Sequence, residues 1–497
     1  MRLAACVWGL ALVLPQVVCG QNNFSPGGDD YLIAGNLPGD QTAPQAAINA
    51  TGGWLVWQDN AADGDGLGIK AQRLNAALTQ AGAQFRVNVQ GANDQEKPQI
   101  ALLNDGGAVF VWQGGRVGFQ KIYARFMAAN GAFITTGDIL VNTYTNEFQV
   151  DASVATLADG SVVVVWGSYG QDGNRQGIYG QRFSAAGVKL GDEFRVNNFT
   201  LNNQRTPSVA ALTNGNFVVA WVSELQRASS SVDIYARLFT ISNSLPTAVA
   251  NEFAVNPTTT NVCANPHLTG SPQGGFAVVW SQNGNVTYAA GSASENSTPN
   301  IPVSVVSSNG WDVMARVYSA TGSAISAPAR LNTWTRGDQY APRISAFGRN
   351  YLAVWTSLGQ DSSWEGIFGQ FLGSGGDLAG VEFRVNTTTV SQQIDPTIAA
   401  DGVNRFLVNW ASFGANTSFD LFARAYDLIR VEVSTTAQGV AILWNTQPGM
   451  VYQVQRSTDY TNWSDLGSAR TAAGYTDSVT VNPTSSGAVF RVIRIIQ

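Results

Sequence analysis

The chain has 497 residues, of which 44% are hydrophobic and 12% charged, with a formal net charge of −6. That apolar share supports a sizeable core and excludes generic disorder, while the acidic balance excludes a nucleic-acid binder working through a basic face. Gly is abundant at 52, with 14 Trp and 23 Phe, and long Ala/Leu/Glu/Lys tracts are missing, which excludes helical bundles and coiled coils.

At the N-terminus, Arg2 precedes an apolar run at 4–14 that is too short to span a bilayer, and Val18-Cys19-Gly20 supplies small residues for cleavage. The pattern predicts a signal peptide over 1–20, cut after Gly20, and therefore a secreted or cell-surface protein. Lipidation at Cys19 is the weaker reading, because Val18 is too large for the position before it. No later stretch could cross a membrane as a helix. The mature chain then keeps one cysteine, Cys263, and can form no internal disulfide.

From residue 31 onward the chain repeats. Seven tryptophans end short apolar runs: Trp57, Trp112, Trp166, Trp221, Trp280, Trp355 and Trp410. The runs are β-branched and aromatic, bounded by Gly and Asn, and read as strands. A start signal precedes each run, at Pro44, Pro98, Ala152 (the one non-proline), Pro207, Pro266, Pro342 and Pro396. Proline there suits the first residue of a strand, where its missing N–H is not needed. A third run follows each Trp, such as Ile178-Tyr179-Gly180-Gln181-Arg182-Phe183. A fourth follows in turn, such as Phe194-Arg195-Val196-Asn197. Four short antiparallel strands in about 54 residues predict a propeller blade.

Each fourth strand begins 13 residues before the next start signal, as Phe85 does before Pro98. Counting 13 back from Pro44 gives Tyr31, which opens a strand at 31–34 with no blade of its own. The last unit shows only three strands before Asp427. The expectation is an all-β fold: a seven-bladed propeller over 21–428, closed by the N-terminal strand, which leaves no open edges between blades. The seven Trp read as core residues, the recurrent Arg (Arg125, Arg182) as structural, and the recurrent Gln (Gln41, Gln95, Gln149, Gln204, Gln339, Gln393) as ties for the interblade loops.

After Asp427 the pattern changes. Strand candidates at 431–433, 440–444, 451–456 and 490–494, with Trp463 after Ser457-Thr458-Asp459, resemble a fibronectin-III-like β-sandwich, a module over 429–497. The repeats themselves, with Ser161-Val162-Val163-Val164-Val165-Trp166, Gly177-Ile178-Tyr179-Gly180-Gln181-Arg182-Phe183 and Glu193-Phe194-Arg195-Val196-Asn197, resemble tandem repeats of large secreted bacterial proteins. That resemblance implies secretion and a propeller-like fold and carries no catalytic residues.

Catalytic groups of the usual kinds are sparse. The single histidine, His267, reads as a core or channel residue, and with Cys263 it excludes a Cys/His zinc cluster. No Gly-x-Ser-x-Gly elbow or phosphate loop occurs. The acidic loop holding Asp59, Asp63 and Asp65 has the oxygen-rich character that Ca²⁺ takes, without the EF-hand spacing. Trp311, Trp334 and Trp364, with Tyr340, fall in or beside loops of units five and six that emerge on one face. An exposed aromatic patch of that kind points to ligand binding, and the 281–311 insertion is its natural partner. These features predict a secreted, monomeric, non-catalytic binding or adhesion protein whose loop face takes an extracellular glycan or protein. A polysaccharide lyase or hydrolase using acids and Tyr near the channel is the alternative, and a structural surface or matrix component is a third reading.

Overall fold

The computed structural model describes residues 19–20, 23–284, 310–414, 418–436, 438–446, 448–459, 462–482 and 488–495. Among them all regular structure is β. The chain divides into two compact units, one of residues 30–425 and one that joins the segment ahead of Asp30 to the residues from Tyr426 onward.

The first unit is a ring of seven antiparallel blades, the fourth and fifth joined in one nine-stranded sheet by a parallel contact of Val232 with Val262. Their inner strands are Gln41–Asn49, Gln95–Leu102, Gln149–Thr156, Gln204–Ala211, Val262–Gly270, Gln339–Phe347 and Gln393–Ala400. In blade three the order outward is Gln149–Thr156, Val162–Tyr169, Gln176–Phe183 and Phe194–Arg195. Successive residues of the second strand face opposite neighbouring blades, so both faces are buried and the strand reads as an unbroken apolar run. The anchoring tryptophans all lie in the core, at most 1% exposed.

The seventh blade is completed from the other end of the chain. Tyr31 and Leu32 pair antiparallel with Ala423 and Phe422 of the strand Phe419–Ile429, and the Ile33 N–H donates to the Leu421 carbonyl at 3.1 Å. Thr397 of blade seven donates to the Gln45 side chain of blade one at 3.1 Å. The expected closure is therefore present.

Two repeated side-chain devices hold the blades. In five blades the Asn that ends the fourth run, such as Asn142, accepts the N–H of its third strand (from Ile122, 2.9 Å) and donates to the following Gln (Gln149, 3.1 Å). That Gln then donates to the carbonyl three residues back in the loop (Asn146, 2.8 Å). The recurrent Arg crosses to the preceding blade. Arg125, Arg237, Arg316 and Arg424 donate to the carbonyls of Val87, Val196, Val255 and Val385 at 2.8–2.9 Å. Arg182 departs from this, turning to Asp159 and Ser161 of its own blade and the Ser244 carbonyl.

In the second unit, Val431–Thr436, Gly439–Asn445 and Thr476–Val481 form one sheet, and Val451–Ser457 and Val489–Ile495 lead the other. Trp444, Tyr452, Val454 and Phe490 lie in the core between them. Arg494 donates to Asp427 at 2.9 Å and to the Tyr452 hydroxyl at 3.2 Å. The signal-peptide expectation falls, for residues 1–18, outside the described residues.

Candidate active site at the channel mouth

The prolines of the start signal do not open the inner strands. Each sits inside one, at a break in register, such as the shift between Glu96 and Gln99. The residue before it is in the left-handed region in every blade: Ala43, Lys97, Asp151, Thr206, Asn265, Ala341 and Asp395, with φ between 47° and 55°. A proline that cannot donate to the ladder is tolerated at such a bulge. Ala152 in blade three keeps the same bulge, after Asp151 at φ 55°, so geometry and not proline defines the position. Left-handed backbone outside glycine costs roughly 1–2 kcal/mol per residue, and here it recurs seven times at one end of one channel.

These bulges line a cavity of about 600 Å³ to which all seven blades contribute. It opens on the face where the second-to-third and fourth-to-first strand loops emerge, because the inner strands begin there. Its charged lining groups are Glu96, Lys97, Asp151, Arg205, Arg343 and Asp395, with His267 and Tyr340 beside them. Lys97 pairs with Asp151 at 2.7 Å. Arg205 pairs with the buried Glu224 at 2.8 Å. Glu96 accepts from Gln113 at 3.0 Å. Asp395 is exposed toward the channel, where the lining of the cavity encloses it. Poor solvation pushes the carboxyl above the ordinary range. The Ala43 N–H, at 3.4 Å, and the cations Arg343 and Lys97 pull the other way without cancelling the rise. Burial alone would lower the Lys97 ammonium, but Asp151, Glu96 and Asp395 outweigh it and hold the group above its usual range.

His267 takes the channel-wall role expected of it. Its Nδ1 accepts the Ile344 N–H of the next blade at 3.2 Å, as the Ser153 and Ser208 hydroxyls accept those of Val209 and Leu268. Desolvation, with Arg343 nearby, depresses its pKa to about 3. The ring is therefore neutral, with its proton on Nε2.

The structure does not assemble the expected aromatic patch. Trp311 is a correction: at 6% exposed it packs in the core of blades four and five, because it sits immediately before a strand that turns it inward. Trp334 is half-buried, and its carbonyl accepts from Asn332. Trp364 is 63% exposed. Tyr340 lies in the channel wall and not among the outer loops. Most of the insertion at 281–311 lies outside the described residues. The acidic loop does not bring its three carboxylates together. Asp59 is buried against Trp57 Nε1 at 3.2 Å and the Lys70 ammonium at 3.3 Å. Asp63 accepts from Asn88 and Asp65 from the Asn93 N–H. Among the described residues, no three His, Cys, Asp or Glu side chains converge as a metal site requires.

Sequence reasoning placed polar chemistry near the channel only in general terms and missed Lys97, Asp151, Arg343 and Asp395. The available signal was the residue just before each start-signal position, and for Arg343 the residue just after it, variable positions inside an otherwise repeated segment.

No protein-family model matches the chain, and no curated protein matches its sequence. Solved structures do resemble it in fold. A protein of unknown function from Dyadobacter fermentans has 9% identity and a TM-score of 0.47, with 80% of this chain and 98% of that one covered. An α-L-arabinanase of Penicillium chrysogenum, complexed with arabinobiose, has 16% identity and a TM-score of 0.42 over 66% of this chain and 92% of the other. The α-L-arabinofuranosidase of Fusarium graminearum has 12% identity and a TM-score of 0.44 over the same shares. These last two are described as glycosidases. The expectation of a non-catalytic binding or adhesion protein is corrected accordingly. The carboxylates gathered at the channel mouth are what that expectation left out.

Proposed function

We propose that the protein is a glycan-active hydrolase whose site is the channel mouth, acting outside the cell, as the N-terminal pattern indicates. One observation carries this reading. Asp395 of blade seven and Asp151 of blade three approach one cavity from nearly opposite sides of the ring, in different environments. Asp395 is held toward its protonated form by poor solvation, while Asp151 is engaged by the Lys97 ammonium. Glycosidic hydrolysis needs that division, one carboxyl to donate a proton and one carboxylate to act on the other side of the bond. In the proposed step the bond between the anomeric carbon and the glycosidic oxygen breaks. The leaving oxygen takes the Asp395 proton, and Asp151 accepts the proton of the attacking water. Tyr340 and His267 present donors to the sugar hydroxyls.

The test is reducing-end release from a panel of neutral and acidic polysaccharides. Asp395→Asn and Asp151→Asn should each lower turnover about 10²–10⁴-fold with melting temperatures within a few degrees of the parent. Because Asp395 works protonated, activity should fall as pH rises through its raised pKa, and Asp395→Asn should abolish that limb. Full activity in both variants, or an unsaturated ultraviolet-absorbing product in place of a hydrolysed one, would overturn the reading.

A further inference from the structure

Resting on that reading, we infer that the glycan is acidic and that Arg343 holds an oxyanion on the sugar bound at the mouth. Three cations line the cavity, and two are already committed within the protein. Lys97 is paired to Asp151 and Arg205 to Glu224. Arg343 differs. Among the described residues its one hydrogen bond goes to the carbonyl of its neighbour Pro342, at 3.0 Å, and no carboxylate of those residues lies within ion-pair distance of it. A guanidinium carries five N–H donors in a planar fork, so most of Arg343's donors are left to whatever enters the channel.

The surroundings make that vacancy costly without an anion. Desolvation pulls the Arg343 pKa down, the sign of a cation that has lost water without gaining a partner. Asp395 is the nearby acid able to offset it, but Asp395 is the group that the proposed chemistry needs protonated, and a neutral carboxyl does not quench a guanidinium. The His267 ring next to Arg343 is neutral and leaves an N–H donor on the same wall. A carboxylate or sulfate on the bound sugar fits a fork of this kind bidentately. Neutral sugars offer no group that would compensate the charge.

Binding is measured with uronic-acid oligosaccharides, sulfated oligosaccharides and neutral oligosaccharides of equal length, in the Asp395→Asn protein so that turnover does not interfere. The expected result is tighter binding of an anionic series than of the neutral one, by tenfold or more. Arg343→Met should remove that preference, and Arg343→Lys should restore part of it, since Lys supplies charge without the fork. Which anionic series prevails separates carboxylate from sulfate. Equal binding of anionic and neutral sugars, or a preference unchanged in Arg343→Met, overturns the inference while leaving hydrolysis of neutral glycans intact. Conversely, Arg343-dependent binding of an acidic glycan that the parent never cleaves would sustain the inference and sink the hydrolase reading.

Discussion

Tryptophans of one sequence look have two fates here, and burial separates them. Trp311→Ala should cost about 3–5 kcal/mol, the usual price of emptying a large core site, read as a lower midpoint in chemical denaturation. Trp364→Ala should move the midpoint little, since 63% of that residue faces water. His267 gives a pH signature. Folded, it titrates at about 3; unfolded, near its ordinary 6.5. Between those values the unfolded chain binds the extra proton, so stability rises with pH across that window and is lost on acidification. His267→Gln should flatten that part of the stability–pH curve, checked by melting from pH 7 to pH 4. The core tryptophans were legible in the sequence because seven copies in phase have one explanation, packing. The site residues were not, because a bulge position accepts Ala43, Lys97, Thr206 or Asp395 alike, and only the ring brings residues hundreds of positions apart to one mouth.

At the scale of strands and blades, the periodic runs carried most of the information. Strand count per blade, the orphan strand at 31–34 and the tying role of the recurrent Gln could all be read from spacing. The bulge could not, since a proline within a strand and a proline opening one look alike in a linear pattern. The arginines that reach the preceding blade add to other polar contacts between neighbours, such as Lys97 to Asp151 and the Ile344 N–H to His267. Arg424→Ala removes the bond to the Val385 carbonyl and should destabilise by about 2 kcal/mol, the range for a charge-assisted hydrogen bond. Removing residues 21–36 should lower the melting temperature by many degrees, because it exposes the edge of Phe419–Ile429 that Tyr31 and Leu32 cover. A truncated protein melting like the parent would show that the ring does not depend on this strand.

For the whole molecule, the ring concentrates function at its axis. Seven blades repeat one backbone, and the inward bulges differ in side chain, so one scaffold offers seven independent positions around a single cavity. Closure also has a consequence for how the molecule comes to exist. Asp30 bonds Thr387 across 357 positions of sequence, and its neighbour Tyr31 must find Ala423. During synthesis, blades one to six can form as their residues emerge, but the first strand has no partner until almost the entire ring has been made. Contacts this distant are slow to form. The nascent chain therefore spends most of its time with an unpaired strand and an uncovered blade flank, the two features most prone to joining a second copy. Refolding should accordingly show a final slow phase that vanishes when residues 21–36 are absent and whose yield falls as protein concentration rises.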